Sequence, residues 1–289
     1  MSAKNSDLAF LGEETMTDYE TRGIRRVLLE LGGFLKNSLG NFFSPEFLCV
    51  LIPLLLLWEF LPRWGVLPEG LVPSLSTVAA RFWYMLWHKQ LVLHIGISMG
   101  RFFTAFSIAV VLAVPIGLLM GWNLKIRAFI LPLWQLLSPI PPPAWVPMTI
   151  IFFGIGSKMH VFLMFIGIFY PVLFNTYQGI KDTDPRYLAS ARVFGASEFT
   201  LLRKVYFWHA FGSVIMSLKT GVAMGLVMLL IGESYGGRYG IGYLLGQAKD
   251  YFVIPEMMVC MAILGWIGWF LIEILKYVEI KLAVWKVGR

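Results

Sequence analysis

The residues able to do acid–base or metal chemistry are scattered through this sequence. His88, His94, His160 and His209 have no metal-ligand spacing, and Glu59 and Glu233 stand singly near the ends of apolar runs. Isolated polar residues in such places usually anchor a chain at a membrane interface, which argues against carboxylate-pair, Ser/His or His/Glu catalysis at membrane depth. Cys49 and Cys260 lie inside apolar runs without ligand neighbours and read as packing residues rather than a disulfide. No Gly-x-x-x-x-Gly-Lys-Ser/Thr loop occurs, so the chain has no evident cradle for nucleotide phosphates.

Two cations and one proline cluster stand out instead. Arg101 falls near the outer end of the second long apolar run, and Lys219 about two turns into the fifth. Cations so placed bias a pathway toward anions; the alternative is snorkelling of long side chains to the interface. Glu233, near the same face as Arg101, favours a neutral or cationic solute. The stretch SPIPPPAWVP carries Pro139, Pro141, Pro142, Pro143 and Pro147. Proline removes backbone donors and clashes with the preceding turn, so no straight helix passes through it. Irregular backbone at membrane depth must be buried in protein or line a wet cavity. Transport pathways use such breaks; a packed kink is the alternative. Trp134, Trp145 and Met148 lie near the break, as pathway lining or as packing. The pathway candidates are therefore Arg101, Pro141, Pro142, Trp145, Met148, Lys219 and Glu233.

The elements that must position these residues are membrane spans. The 289 residues are 58% hydrophobic and 14% charged, with mean hydropathy +0.72, against roughly a quarter charged in soluble domains. Six apolar runs, 47–65, 98–121, 127–153, 158–180, 210–233 and 255–279, are of spanning length. The first lacks a small-residue cleavage site and reads as a retained anchor, and residues 1–20 contain no signal-like apolar stretch. Ile24, Val27, Leu28, Leu31, Phe34 and Leu35 recur at helical spacing opposite Arg25, Arg26 and Lys36. This predicts an amphipathic helix on the membrane surface, or one packed on a partner. An all-α integral membrane protein follows, with a 1–45 tail, a first span and outer connection over 46–97, a core over 98–285 and a 286–289 tail.

With both termini cytoplasmic, most of the 24 basic residues fall on the inside, as membrane proteins prefer. The net charge of +7 therefore needs no nucleic-acid partner, and no separate basic domain exists. The inside also receives an elbow, 184–207. Asp184 is a good N-cap and Pro185 fits the first helical position. Gly195 ends that helix, and Ser197 caps a second one with Glu198 in its first turn. Phe194, Phe199 and Leu202 are available to fill a partner's groove, rimmed by Arg192, Arg203 and Lys204.

The elbow's spacing resembles the cytoplasmic signature of binding-protein-dependent ABC importer permeases: Glu-Ala-Ala, three residues, Gly, nine residues, Ile-x-Leu-Pro. Ala189, Ser190, Ala191, Gly195, Val205, Phe207 and Trp208 occupy its positions; Ala189 replaces the glutamate, and Phe207-Trp208 the closing Leu-Pro. SMGRFFTAFSIAVVLAVPIGLLMG, SPIPPPAWVPMTIIFFGIGSK and GESYGGRYGIGYLL, with WEF and PSLSTV, are similar to the nitrate/sulfonate/taurine/bicarbonate permease group over roughly 45–285. The resemblance implies a type I ABC importer (MetI-like) permease fold of about six transmembrane helices with a cytoplasmic coupling helix. It implies a transport subunit rather than an enzyme, with no cofactor on this chain and ATP and Mg on a partner ATPase. That ATPase would meet Ala189, Ser190, Ala191, Arg192, Gly195, Ala196, Ser197 and Arg203. A periplasmic or lipid-anchored solute-binding protein and a second permease copy complete the implied assembly. A small anion such as nitrate, bicarbonate or a sulfonate is the implied solute. An ion-coupled transporter or channel is the competing reading; such proteins show repeated halves with matching broken helices, and only one Pro-rich break occurs here.

Overall fold

The structure is a computed structural model that describes residues 30–36, 40, 44–68 and 70–282. The chain divides into two units, 1–54 and 55–289. In the first, residues 30–36 are helical with Leu31, Phe34 and Leu35 half-buried and Lys36 exposed. Ile24, Arg25, Arg26, Val27 and Leu28 of the expected amphipathic helix lie outside the described residues, as does the 286–289 tail.

The helices are α1 (Pro45–Arg63), α2 (Leu75–His88), α3 (Leu91–Trp122), α4 (Leu124–Leu137), α5 (Val146–Phe153), α6 (Ser157–Lys181), α7 (Pro185–Val193), α8 (Glu198–Leu201), α9 (Phe207–Ser234), α10 (Ile241–Asp250) and α11 (Ile254–Leu282). No strand occurs among the described residues. The helices α1, α3, α6, the continuous run Glu198–Ser234 and α11 are long and apolar enough to span a membrane. The helical pair Leu124–Leu137 and Pro142–Phe153 makes a sixth candidate, bent by 86°.

The core is the seam where α3, α6 and α9 meet. Along α3 the buried positions are Leu91, His94, Ser98, Phe102, Ala105, Ala109, Ala113, Gly117 and Met120, a three-and-four spacing that makes one stripe. Small residues let the backbones close up, as they must where lipid supplies no hydrophobic drive between helices. A Cβ on Gly117 would stand 2.8 Å from the Leu173 carbonyl of α6. One on Gly221 of α9 would meet Val172 at 2.8 Å and Ile168 at 3.2 Å.

Three sequence expectations change. The stretch 46–97 holds, besides the first span, α2 and the first two turns of α3, so the helix of the second span begins at Leu91. The elbow's second helix does not stop before a separate fifth span. It runs through a π-helical turn, Leu202–Tyr206, directly into α9. The segment after the fifth span folds as α10, which the sequence reading did not assign. The helices α2 and α10 have 14 and 10 residues, too short for a span, and a search for spans passes over them.

Helix α2 is clamped rather than loose. Buried Glu256 at the start of α11 takes Arg81 Nη2 at 2.7 Å and Lys89 Nζ at 2.7 Å, fixing the α2 end to α11. At the other side of α2, Glu59 accepts from the Ser76 backbone N–H at 2.9 Å and pairs with Arg63 at 2.6 Å. The Trp58 indole donates to the Pro73 carbonyl at 3.0 Å.

Candidate functional site

At one end of the core, α3 presents His94, Ser98 and Arg101 at i, i+4 and i+7, one face of a helix. All three hold the glycine-rich connection between α9 and α10. The Ser98 hydroxyl accepts from the Ile241 N–H at 2.8 Å and donates to Glu233 at 2.7 Å. Glu233, fully buried, also accepts from the Gly242 N–H at 3.0 Å and pairs with Arg101 Nη1 at 2.8 Å. The same Nη1 reaches the Tyr239 carbonyl at 2.8 Å, and Arg101 Nε reaches Ser157 Oγ of α6 at 3.2 Å. His94 Nδ1 lies 2.9 Å from the Gly240 backbone nitrogen and 3.1 Å from the Gly240 carbonyl, so the ring holds this glycine in either tautomer.

The glycines are dictated by this packing. Gly240 has φ +130°, and a Cβ there would strike the Glu233 carboxylate. A Cβ on Gly242 would lie 2.7 Å from Glu233 Cβ. The Ser234 hydroxyl adds a bond to the Gly242 carbonyl at 3.0 Å. The buried carboxylate thus has a cation, a hydroxyl and a backbone donor, the conditions under which a buried charge is tolerated.

Arg101 and Glu233, the two sequence candidates at this end, are therefore brought together as a pair. The Arg101 side chain is 12% exposed, so its charge faces Glu233 rather than open space. His94 and Ser98 were missed. Their spacing from Arg101 was the available signal, but it names a helix face and not the loop, some 140 positions away, that the face holds.

The other pathway candidates are distributed. Lys219 pairs with Glu279 of α11 at 2.7 Å. At the break, α4 ends at Leu137 and a 3-10 turn, Pro142–Trp145, leads into α5. Pro141 is exposed, Pro142 half-buried and Met148 47% exposed. Trp145 packs against the small cluster of Val146, Met159 and Leu163. Trp134 stacks on Phe174 of α6 with ring centres 4.1 Å apart. The indole N–H groups of Trp134 and Trp145 and both ring nitrogens of His160 are buried without a partner among the described residues. No cluster of His, Cys, Asp or Glu suited to a metal occurs among those residues.

The elbow lies at the far end of the same core. Asp184 caps α7 by accepting from the Arg186 N–H at 2.8 Å. At its C-terminus the Gly195 N–H bonds to the Arg192 carbonyl at 2.9 Å and the Ala196 N–H to the Ala191 carbonyl at 3.1 Å. With Gly195 at φ +78°, this is a Schellman stop. Ser197 then caps α8 through the Thr200 N–H at 3.3 Å, and Arg192 pairs with Glu198 at 3.2 Å across the bend. At the tip, Val193 and Phe194 are 85% and 90% exposed. Ala189, Ser190 and Ala191 stand on α7, and Ala196 and Ser197 lie between it and α8. Arg203 does not join the tip: it lines a groove against α3, with Pro115, Leu118 and Leu119.

Residues 113–278 match the family model "Binding-protein-dependent transport system inner membrane component". A putative ABC transporter permease protein of Methanocaldococcus jannaschii is 34% identical, over 66% of this chain and 72% of that protein. The taurine transport system permease protein TauC of Escherichia coli (strain K12) is 27% identical, over 75% of this chain and 78% of that one. The inward-facing MetNI methionine ABC transporter has a chain with a similar fold, at TM-score 0.51 and 16% identity, covering 70% of this chain and 99% of that one. The helices, the span pattern and the family match agree on a multi-pass membrane transport component rather than an enzyme. The chain belongs to the binding-protein-dependent transport system inner membrane component family, with the MetI-like permease fold.

Proposed function

We propose that this permease carries a small anion, or a zwitterion with an acidic group, inward through an ATP-driven importer. In this reading the elbow is cytoplasmic and seats a separate ATPase that holds ATP and Mg. The glycine-rich connection strapped by His94, Ser98 and Arg101 faces outward, toward a solute-binding protein, periplasmic or lipid-anchored. A second copy of the chain completes the pathway, since one subunit offers one elbow and two ATPases are needed.

The observation that carries the reading is the elbow itself. Two short helices locked by a Schellman stop and a serine cap hold Val193 and Phe194 almost fully in solvent. An exposed aromatic side chain beside an exposed aliphatic one, on a tip fixed by its caps, suits a protein groove. The solute class is supported by the taurine permease relative. Charge supports it more weakly, because Arg101 is neutralised by Glu233; Lys158 and Arg238, exposed beside that pair, remain uncompensated among the described residues.

The test is ATP hydrolysis by the reconstituted complex, stimulated by its loaded binding protein and screened over nitrate, bicarbonate, sulfonates and neutral heterocycles. Stimulation by an acidic solute is expected, and stimulation only by an uncharged or cationic one removes the anion proposal. Gly195→Val strains the left-handed position by about 1–2 kcal/mol. It should lower ATPase co-purification or uncouple hydrolysis while the chain still inserts. Wild-type stoichiometry with normal transport would remove the elbow from this role.

A further inference from the structure

A groove of about 490 Å³ separates the last turns of α3 from the elbow side of α9. Pro115, Leu118 and Leu119 form one wall, and Phe199, Leu202, Phe207 and Trp208 the other. The single charged lining residue is Arg203. It makes no ion pair or hydrogen bond among the described residues, whereas neighbouring Arg192 is paired with Glu198. The π-helical turn Leu202–Tyr206 begins here. One inserted residue rotates what precedes it by about 100° relative to an unbroken α-helix, and this sets the register at which Arg203 meets the groove.

Depth decides what fits. Pro115–Leu119 lie about 5–10 Å of helical rise before Trp122, where α3 ends ahead of Lys125 and Arg127. That is hydrocarbon depth, just under the headgroups. The run Glu198–Ser234 has 37 residues, or about 55 Å of helix against a hydrocarbon core of about 30 Å. Its elbow end therefore extends past the hydrocarbon, and Arg203, near that end, lies on the headgroup side of Trp208. An apolar slot at acyl depth, closed at headgroup depth by one unpaired guanidinium, is complementary to a phospholipid. A second protein helix in the slot would bury that guanidinium unless it carried its own acid.

We propose that this groove is a binding site for an anionic phospholipid, with one acyl chain between Leu118 and Trp208 and the phosphate on Arg203. The lipid would then touch both α3 and the segment that joins the elbow to α9, so its occupancy would stiffen that joint. The inference rests on the spanning role of α3 and α9 and is independent of the transported solute.

The test uses the full-length permease in bilayers of phosphatidylcholine containing a minor fraction of brominated lipid. Trp208 fluorescence is isolated as the difference between wild type and Trp208→Phe. Brominated phosphatidylglycerol should quench that component at an effective concentration about fivefold lower than brominated phosphatidylcholine, the enrichment that one basic residue near a membrane surface supplies. Arg203→Gln should abolish the preference and Arg203→Lys should keep most of it; recovery by lysine separates loss of charge from misfolding. Equal quenching by the two lipids overturns the proposal. So does a disulfide between two copies through Leu118→Cys, in a Cys49→Ala background, without any preference for phosphatidylglycerol; the groove would then belong to the second copy.

Discussion

Glu233 has no solvent exposure, yet each of its oxygens has a donor: Arg101 and Ser98 on Oε1, Ser98 and the Gly242 N–H on Oε2. Removing one member of a buried ion pair leaves the other uncompensated, at about 3–5 kcal/mol. Glu233→Ala should therefore destabilise the chain by that order. The double variant Arg101→Met/Glu233→Leu should recover most of the loss, because an apolar pair of similar volume needs no partner. Thermal unfolding in detergent measures both, and a wild-type midpoint for the single variant would contradict this account. At this scale the sequence disclosed types but not pairings. Arg101 and Glu233 were each visible as ionisable groups near span ends. Their union depends on α3 and α9 running side by side, which no local spacing records. The same holds for Lys219 with Glu279 and for Arg81 and Lys89 with Glu256.

Elements were more legible than pairs where one residue type controls the backbone. The prolines required a break, and the chain turns through 86° there. Asp184, Gly195 and Ser197 required a helix start, a stop and a restart, and each side chain or φ angle performs that local task, although the restarted helix runs on into α9. Helices α2 and α10 escaped because their stability is tertiary. Thus α2 turns Val78 and Met85 inward and leaves Trp83 and Trp87 60% and 70% exposed, a pattern that short apolar stretches hide. The glycines of the α6–α9 seam are element-scale features as well. Gly221→Leu would drive a side chain into Val172 and Ile168, an overpacking of about 1–3 kcal/mol. Gly265 of α11 has nothing within 4 Å of its Cβ position. There the better helix former should leave the midpoint unchanged or raise it. Purification of both variants with thermal unfolding distinguishes the two; equal damage would mean that the seam does not depend on its small residues.

For the molecule as a whole, the open point is whether the bent pair α4–α5 crosses the membrane or turns back. Contacts elsewhere decide it. Arg101 lies 21 residues before the α3 end at Trp122, about 31 Å of helix, close to a full hydrocarbon thickness. Yet Arg101 bonds to Ser157, the first residue after the bent pair. Between residues 123 and 156 the chain has therefore travelled from the far end of α3 back to the level of Arg101, so the pair makes a crossing despite its 86° bend. Helix α6 then returns: a Cβ on Gly117 would touch Leu173, and one on Gly121 would touch Ile180, near the ends of both helices. The run into α9 climbs again to Glu233 beside Arg101. This parity places Lys125 and the elbow at one surface, and Lys158 and the glycine-rich connection at the other. In the orientation proposed above, which the bias of basic residues toward the cytoplasm supports, the first surface is the inside. Single cysteines replacing Lys125 or Ser190, in a Cys49→Ala background, should be shielded from a membrane-impermeant thiol reagent added to intact cells. Cysteines replacing Lys158 or Gly70 should react. If Lys125→Cys and Lys158→Cys behave alike, the bent pair is re-entrant; if all four reverse, the parity stands, the orientation is inverted, and the elbow is on the wrong side to meet an ATPase.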